Sequence, residues 1–334
     1  MRRRSLLLAA VPAGLVTLAA CGDDKSSSDK ASASPSASAS AVPPPKIVEG
    51  PLPAITAGTK FGEKPTVAKG TGDPSKDLAV KTVIAGGGRT VAENDFIQAN
   101  YLGQIWSTAK VFDNSYDRHR PLVMQLAQGS IIDGWRYALV GKKTGSRVQI
   151  AVPPTWGYGK SGNPQAGIKG TDTLVFVIDL IDSFNSKSSV KGTAVPQTDD
   201  ALPKVGTNTD GSVPSVKIPK TDPPKQLVSN YVLEGDGDEV KAEQTVLCQF
   251  QGLVWASGKT FQRTYGSGRL SQFAVEQMQQ VVKGLAQGVT GKKVGSRVLI
   301  VVPPDLGYGD TPPSGGVIEK GSTLVFTVDI LAAM

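Results

Sequence analysis

The run Gly141-Lys142-Lys143-Thr144-Gly145-Ser146-Arg147-Val148-Gln149-Ile150-Ala151-Val152 carries two signals at once. Its first half is a glycine-bounded polar turn. Its second half alternates, with Val148, Ile150 and Val152 on one face and Arg147, Gln149 and Ala151 on the other, the period of a β-strand. The turn then recurs: Gly291-Lys-Lys-Val-Gly-Ser-Arg-Val298 repeats Gly141 to Val148 at an offset of 150. Gly157-Tyr158-Gly159 returns as Gly307-Tyr308-Gly309, and Thr173 to Phe176 returns as Thr323 to Phe326. Two copies with a long interval between them make a tandem duplication rather than a solenoid.

Working outward within the first copy, Leu174, Phe176, Ile178 and Leu180 form one face of a final strand. Upstream, Ile131, Ile132, Trp135, Ala138 and Leu139 follow helical spacing, and Gly141 ends the helix. One short helix among several antiparallel strands in about 110 to 125 residues gives an α+β domain whose sheet wraps around that helix.

The chain between these copies and its N-terminus is different in kind. Arg2, Arg3 and Arg4 precede an apolar run from Leu6 to Ala20, the pattern of an export signal. The run is short of the roughly 20 residues that a membrane span needs. Leu18-Ala19-Ala20-Cys21 resembles a bacterial lipobox, which implies diacylglyceryl attachment to Cys21, cleavage before it, and a membrane anchor on the extracytoplasmic face. An ordinary cleaved signal with a fortuitous cysteine is the alternative reading. Residues 21–59, rich in Ser, Ala and Pro, read as a disordered tether reaching on the order of 35 Å. A second polar, proline-rich stretch, 185–221, reads as a linker that lets its neighbours move independently. The expected order is therefore signal 1–20, tether 21–59, domain 60–184, linker 185–221 and domain 222–334.

Composition narrows the function. Net charge is +7, and losing Arg2 to Arg4 leaves 33 basic against 29 acidic residues, or +4, too mild for nucleic-acid binding. With Cys21 acylated, Cys248 has no disulfide partner, and its strand-like setting predicts a buried, inert thiol. His119 stands alone, a poor metal or catalytic group. Gly86-Gly87-Gly88 lacks the lysine and spacing of a phosphate loop. No metal and no cofactor are expected, and the chain is expected to act as a monomer.

Eight segments in register resemble one known family. Asn100 to Gly103, Val111 to Ser115, Asp117-Arg118, Ile131 to Trp135, Gly141 to Gly145, Trp156 to Gly159, Gly162-Asn163-Pro164 and Thr173 to Phe176 follow the order of FKBP-type peptidyl-prolyl cis-trans isomerase domains. The resemblance implies two FKBP-like domains, each a curved antiparallel sheet half-wrapped around one short helix. It implies a pocket with Trp135 as floor and Tyr101, Phe112, Ile131, Ile132, Ile168 and Phe176 as walls. Ile132 would offer its N–H and Tyr158 its hydroxyl to substrate carbonyls. Asp113 would line the rim, bonded to Tyr101 and paired with Arg118. The implied partners are X-Pro segments of exported polypeptides, on which the protein would act as a foldase. Leu122 and Met124 stand where aromatic residues are usual, and Asn163 where many members carry histidine.

The second copy reads as eroded. Tyr101 becomes Phe250, Asp113 becomes Gln262, Trp135 becomes Leu285, and Ser267 falls opposite Arg118, while Phe261, Tyr308 and Phe326 persist. Losing hydroxyl, carboxylate and guanidinium together is coherent, because losing one alone strands its partners. An insertion is placed around Gly266 to Arg269, with Val281, Val282, Leu285 and Val289 on the helix face. The expectation is a folded, weakly catalytic domain with a groove formed by Phe250, Phe261, Val281, Val282, Leu285, Tyr308 and Phe326. The competing reading makes the whole chain a non-catalytic peptide-binding chaperone or adaptor using both grooves.

Overall fold

A computed structural model describes residues 43–334. The signal, Cys21 and most of the tether lie outside the described residues. Among the described residues no helix is long and apolar enough to cross a membrane.

In the first half, β1 (Ile47–Val48), β2 (Ile55–Ala57) and β3 (Thr66–Val67) precede β4 (Leu78–Ile84), β5 (Phe96–Ile105), β6 (Val111–Asn114) and β7 (Leu122–Gln125). Then come α1 (Asp133–Leu139), β8 (Arg147–Val152) and β9 (Leu174–Phe184). The sheet order is β1-β4-β8-β9-β5-β6, with β7 also paired to β5. Except for parallel β1, every pairing in this sheet is antiparallel. The concave face carries the alternating residues: Val148, Ile150, Val152, Phe176, Ile178 and Leu180 are buried around Trp135, Ala138 and Leu139 of α1. The helix lies close because Gly134 has no side chain: a Cβ there would sit 2.5 Å from Val152 Cγ1.

The second half repeats this plan with β10 (Thr193–Ala194), β11 (Lys204–Val205), β12 (Val216–Lys217), β13 (Val228–Glu234), β14 (Thr245–Val254), β15 (Thr260–Arg263) and β16 (Ser271–Ala274). It continues through α2 (Val275–Met278), α3 (Lys283–Val289), β17 (Arg297–Val302) and β18 (Leu324–Ala333). Its sheet order, β10-β13-β17-β18-β14-β15 with β16 on β14, matches the first.

The opposite face of each sheet is buried too, where alternation alone predicts solvent. Residues 44–59, read from composition as tether, form with 60–76 a strap whose β2–β3 hairpin crosses this face. Val67 of this hairpin, with Leu52 and Ile55, packs on Ala79, Leu102, Trp106, Ala151, Val175 and Val177. Residues 185–221, read as linker, likewise supply β10 and a β11–β12 hairpin that covers Leu253, Trp255, Leu299, Val301 and Val325. Each strap is held by buried side chains reaching its backbone carbonyls. Gln149 donates to Pro53 O at 2.7 Å and Gln104 to Ala68 O at 2.9 Å; Gln251 donates to Pro214 O at 2.6 Å. Trp106 Nε1 donates to Gly72 O and Trp255 Nε1 to Thr221 O, so the duplication extends into the straps at an offset of 149.

Under each strap lies a fully buried, bidentate ion pair. Arg147 meets Asp179 at 2.6 and 2.7 Å, and Arg297 meets Asp329 at 2.6 and 2.8 Å. The remaining guanidinium donors reach strap carbonyls: Gly58 and Glu63 in the first half, Gly206 and Asn208 in the second. Those carbonyls supply the extra hydrogen bonds that a pair removed from water requires.

The halves do not move as beads on a string. Val123 and Phe184, with Phe96 beside them, share one apolar cluster with Leu247, Leu331 and Ala332 of the second half, and Val190 of the connecting segment completes it. Gln249 Nε2 donates to Ser186 O and Ser188 O at 2.9 and 3.0 Å, fixing that segment. Independent motion, expected from linker polarity, is therefore replaced by an apolar seam. Cys248 is buried, and burial pushes its thiol pKa up, as an inert core residue requires.

Candidate active site

The sheet and α1 of the first half enclose a cavity of about 540 Å3. Four rings line one side in an unbroken edge-to-face series. Tyr101 meets Trp135 at 5.3 Å between centroids, Trp135 meets Phe176 at 5.4 Å, and Phe176 meets Phe112 at 5.7 Å. Edge-to-face contact sets the positive ring edge against the neighbouring face, which fixes the relative tilt of the rings. Gly103 makes room, since a Cβ there would lie 2.7 Å from Phe112 and 2.8 Å from Phe176.

Polar groups gather on one rim. The Tyr101 hydroxyl donates to Asp113, Arg118 pairs with the same carboxylate, and Arg118 Nη2 donates to the Tyr101 oxygen at 2.9 Å. Burial, and then the bond to Asp113 and its negative charge, push the Tyr101 pKa well above its ordinary value, so the hydroxyl stays a donor. Burial pulls the Arg118 pKa down, but its bonds to Asp113 and Tyr101 outweigh this and the net direction is up. Ile132 is the N-cap residue of α1, and Tyr158, partly exposed, stands at the cavity mouth.

Of the residues expected here, Tyr101, Phe112, Asp113, Ile131, Ile132, Trp135, Tyr158 and Phe176 all line the cavity. Ile168 does not. It is buried in the core behind the wall, where its backbone pairs with Asn163 through two 2.9 Å bonds. Asn163 caps the following turn through its side chain. Leu122 and Met124, seen in the sequence only as departures from the family, are wall residues, and Asp133 adds a carboxylate beside Arg136. Alternation along β7 could have found the first two, since Val123 between them faces the seam.

In the second half only two of the expected groove residues, Phe261 and Tyr308, line a described cavity. Phe250, Val282, Leu285 and Phe326 are core, and Val281 is 56% exposed. Phe261 and Tyr308 instead flank a smaller cavity of about 340 Å3 with Gln262, Pro313, Val317 and Ile318. The pairing register locates the insertion between the two copies. Ala99 opposite Leu122 becomes Cys248 opposite Ser271, a constant offset of 149, whereas N-cap Ile132 becomes N-cap Val282, an offset of 150. The extra residue thus lies between Val275 and Val281 rather than at Gly266 to Arg269. That segment winds α2, and Met278 packs on the core. Ser267, opposite Arg118, bonds only backbone atoms of its own loop.

The first half thus presents a helix-floored aromatic cavity with a Tyr-Asp-Arg rim on a sheet wrapped around one helix. The family model for FKBP-type peptidyl-prolyl cis-trans isomerase matches residues 87–181 and again 237–331, and the chain belongs to that family, with two domains in tandem. It is 30% identical over 243 residues to human "Peptidyl-prolyl cis-trans isomerase FKBP9", covering 73% of this chain and 35% of that protein. It is 38% identical over 119 residues to "FK506-binding protein" of Streptomyces anulatus, covering 36% of this chain and 95% of the relative. Escherichia coli K12 "FKBP-type peptidyl-prolyl cis-trans isomerase FkpA" is 36% identical over 142 residues, 42% of this chain and 50% of the relative. The chain thus spans about a third of the length of FKBP9 and half that of FkpA. Both straps begin before the matched regions.

Proposed function

We propose that the first half isomerises X-Pro bonds of exported polypeptides at the outer face of the membrane, to which Cys21 anchors the chain. The observation that carries this is the aromatic cavity bounded by Tyr101, Phe112, Trp135 and Phe176 with its Asp113 rim. Rotation about an X-Pro bond requires giving up the amide resonance behind a barrier of about 18 to 20 kcal/mol. The twisted amide has less charge separation than the planar one, so an apolar, water-poor cavity favours it relative to the ground state. Here the rings bound the volume for the pyrrolidine, while Ile132 N–H and the Tyr158 hydroxyl hold flanking carbonyls. Asp113, held by Tyr101 and Arg118, keeps the rim polar and ordered. No bond is made or broken by the protein in this scheme, and nothing is required beyond orientation and desolvation.

The second half, lacking the Trp135 floor and the Tyr-Asp-Arg rim, serves in this proposal as a peptide-holding or scaffolding partner with little turnover. A chaperone or adaptor that holds peptide in both grooves without catalysis is the second reading, favoured by the aliphatic Leu122 and Met124 in the wall. An X-Pro isomerisation assay on the intact chain lacking residues 1–20 separates them. Turnover abolished by Trp135→Leu and insensitive to Tyr308→Phe supports the isomerase; peptide binding without turnover supports the adaptor.

A further inference from the structure

The single turn Tyr116-Asp117-Arg118 touches three different parts of the first half with three consecutive side chains. The Tyr116 hydroxyl donates to Asp179 of the buried ion pair at 3.0 Å. Asp117 accepts from Lys64 Nζ at 2.6 Å, and Lys64 belongs to the strap. Arg118 reaches the cavity rim at Asp113 and Tyr101. Asp117 is tied further to Asn114, the last residue of β6, through two bonds of 2.9 and 3.0 Å. The strap's Gly62 N–H also donates to Asp179 at 2.7 Å, so strap and turn meet at one carboxylate.

The duplication supplies an internal control. At the offset of 149 that relates Gly72 to Thr221 and Trp106 to Trp255, Tyr116 becomes Tyr265, whose buried hydroxyl finds no hydrogen-bond partner, while the buried pair persists, at an offset of 150, as Arg297 and Asp329. The ion pair belongs to the structural base of the strap, and both copies keep it. Lys64, however, becomes Val213, Asn114 becomes Arg263, Asp117 becomes Gly266, Arg118 becomes Ser267 and Asp113 becomes Gln262. The link between strap and turn disappears together with the rim it would support. A pair needed only to hold the strap down would have been kept, as Asp329 and Arg297 are.

We propose that Lys64 is a positioning residue for the cavity: by pairing with Asp117 it holds the turn at the angle from which Arg118 fixes Asp113. This rests on the isomerase reading of the first half. The pair is solvent-exposed on both sides, so its effect is bounded and salt-sensitive. Lys64 lies outside the residues matched by the family model, so it belongs to the strap's own contribution.

The test uses the full chain without residues 1–20. Lys64→Val and Asp117→Asn are each expected to lower kcat/KM by roughly two- to fivefold at low salt with an unchanged thermal midpoint. The double variant should be no worse than either alone, and Lys64→Arg should restore the value. In 1 M salt the wild type should fall to the level of the variants. Solvent-exchange protection of the Arg118 guanidinium protons, read by NMR, should drop in Lys64→Val and persist in Lys64→Arg. Wild-type kcat/KM and protection in Lys64→Val overturn the proposal, as does a loss that only tracks a lowered midpoint or adds in the double variant. If the wild type shows no turnover, the isomerase reading fails by itself, and the Arg118 protection still decides whether strap and rim are coupled.

Discussion

At the scale of single residues, the cavity separates groups that act from groups that merely fill. Trp135 does both: it is 2% exposed and is the hub of two edge-to-face contacts. Trp135→Ala is therefore expected to cost about 3 to 5 kcal/mol of stability, measured by urea unfolding, so loss of turnover in that variant would be ambiguous. Trp135→Leu copies the second half's solution at Leu285, keeps most of the volume, and is expected to lose turnover while remaining folded. Tyr101 gives a pH prediction with a definite sign. Its pKa is raised, so the neutral hydroxyl is the form that the folded state favours, and folding holds the proton to higher pH. Spectrophotometric titration of wild type and Tyr101→Phe should agree near pH 10 and diverge only well above it; divergence at pH 10 would show that the rim does not protect this group.

Elements carry the next set of consequences. α1 and α3 sit against β8 and β17 through glycines, Gly134 over Val152 and Gly284 over Val302, each with a Cβ position 2.5 Å from a valine methyl. Gly134→Ala should cost about 1 to 3 kcal/mol through overpacking, despite alanine's better helix propensity, and a neutral result by denaturant melting would show that the helix can shift. The straps make a stronger claim. Asp179→Asn leaves Arg147 buried beneath a strap it can no longer pair under, and should destabilise by about 3 to 5 kcal/mol; replacing both partners with apolar residues of similar volume should recover most of that. Recovery in the double variant distinguishes an unpaired charge from a simple loss of contacts.

For the whole molecule, the seam formed by Val123, Phe184, Leu247 and Leu331 joins what the sequence read as separate beads. β7 links this seam to function, because Leu122 and Met124 face the cavity while Val123, between them, faces the second half. One cooperative calorimetric transition is expected for the intact chain, and Leu331→Lys, which places a charge in the seam, should split it into two. Two transitions already present in the wild type would show that the seam does not couple the halves.

The amino-acid sequence by itself determined the duplication, the helix among antiparallel strands and the family, and eight of the nine residues that the resemblance implied for the first pocket line one cavity. Each left a local, periodic or ordered signature: alternation in β8 and β9, helical spacing around Trp135, and Tyr158 between two glycines. Ile168, which the resemblance implied as a wall residue, is buried in the core and does not line the cavity. The straps, the seam and the place of the second half's extra residue were decided by tertiary structure. Strap apolar residues such as Leu52, Ile55, Val67, Val205 and Val216 show no regular period, and the straps also hold on through backbone carbonyls, which every residue possesses and no composition reveals. In the second half one extra residue between Val275 and Val281 accompanies the added helix α2, and only the pairing of β16 with β14 showed where that residue lay.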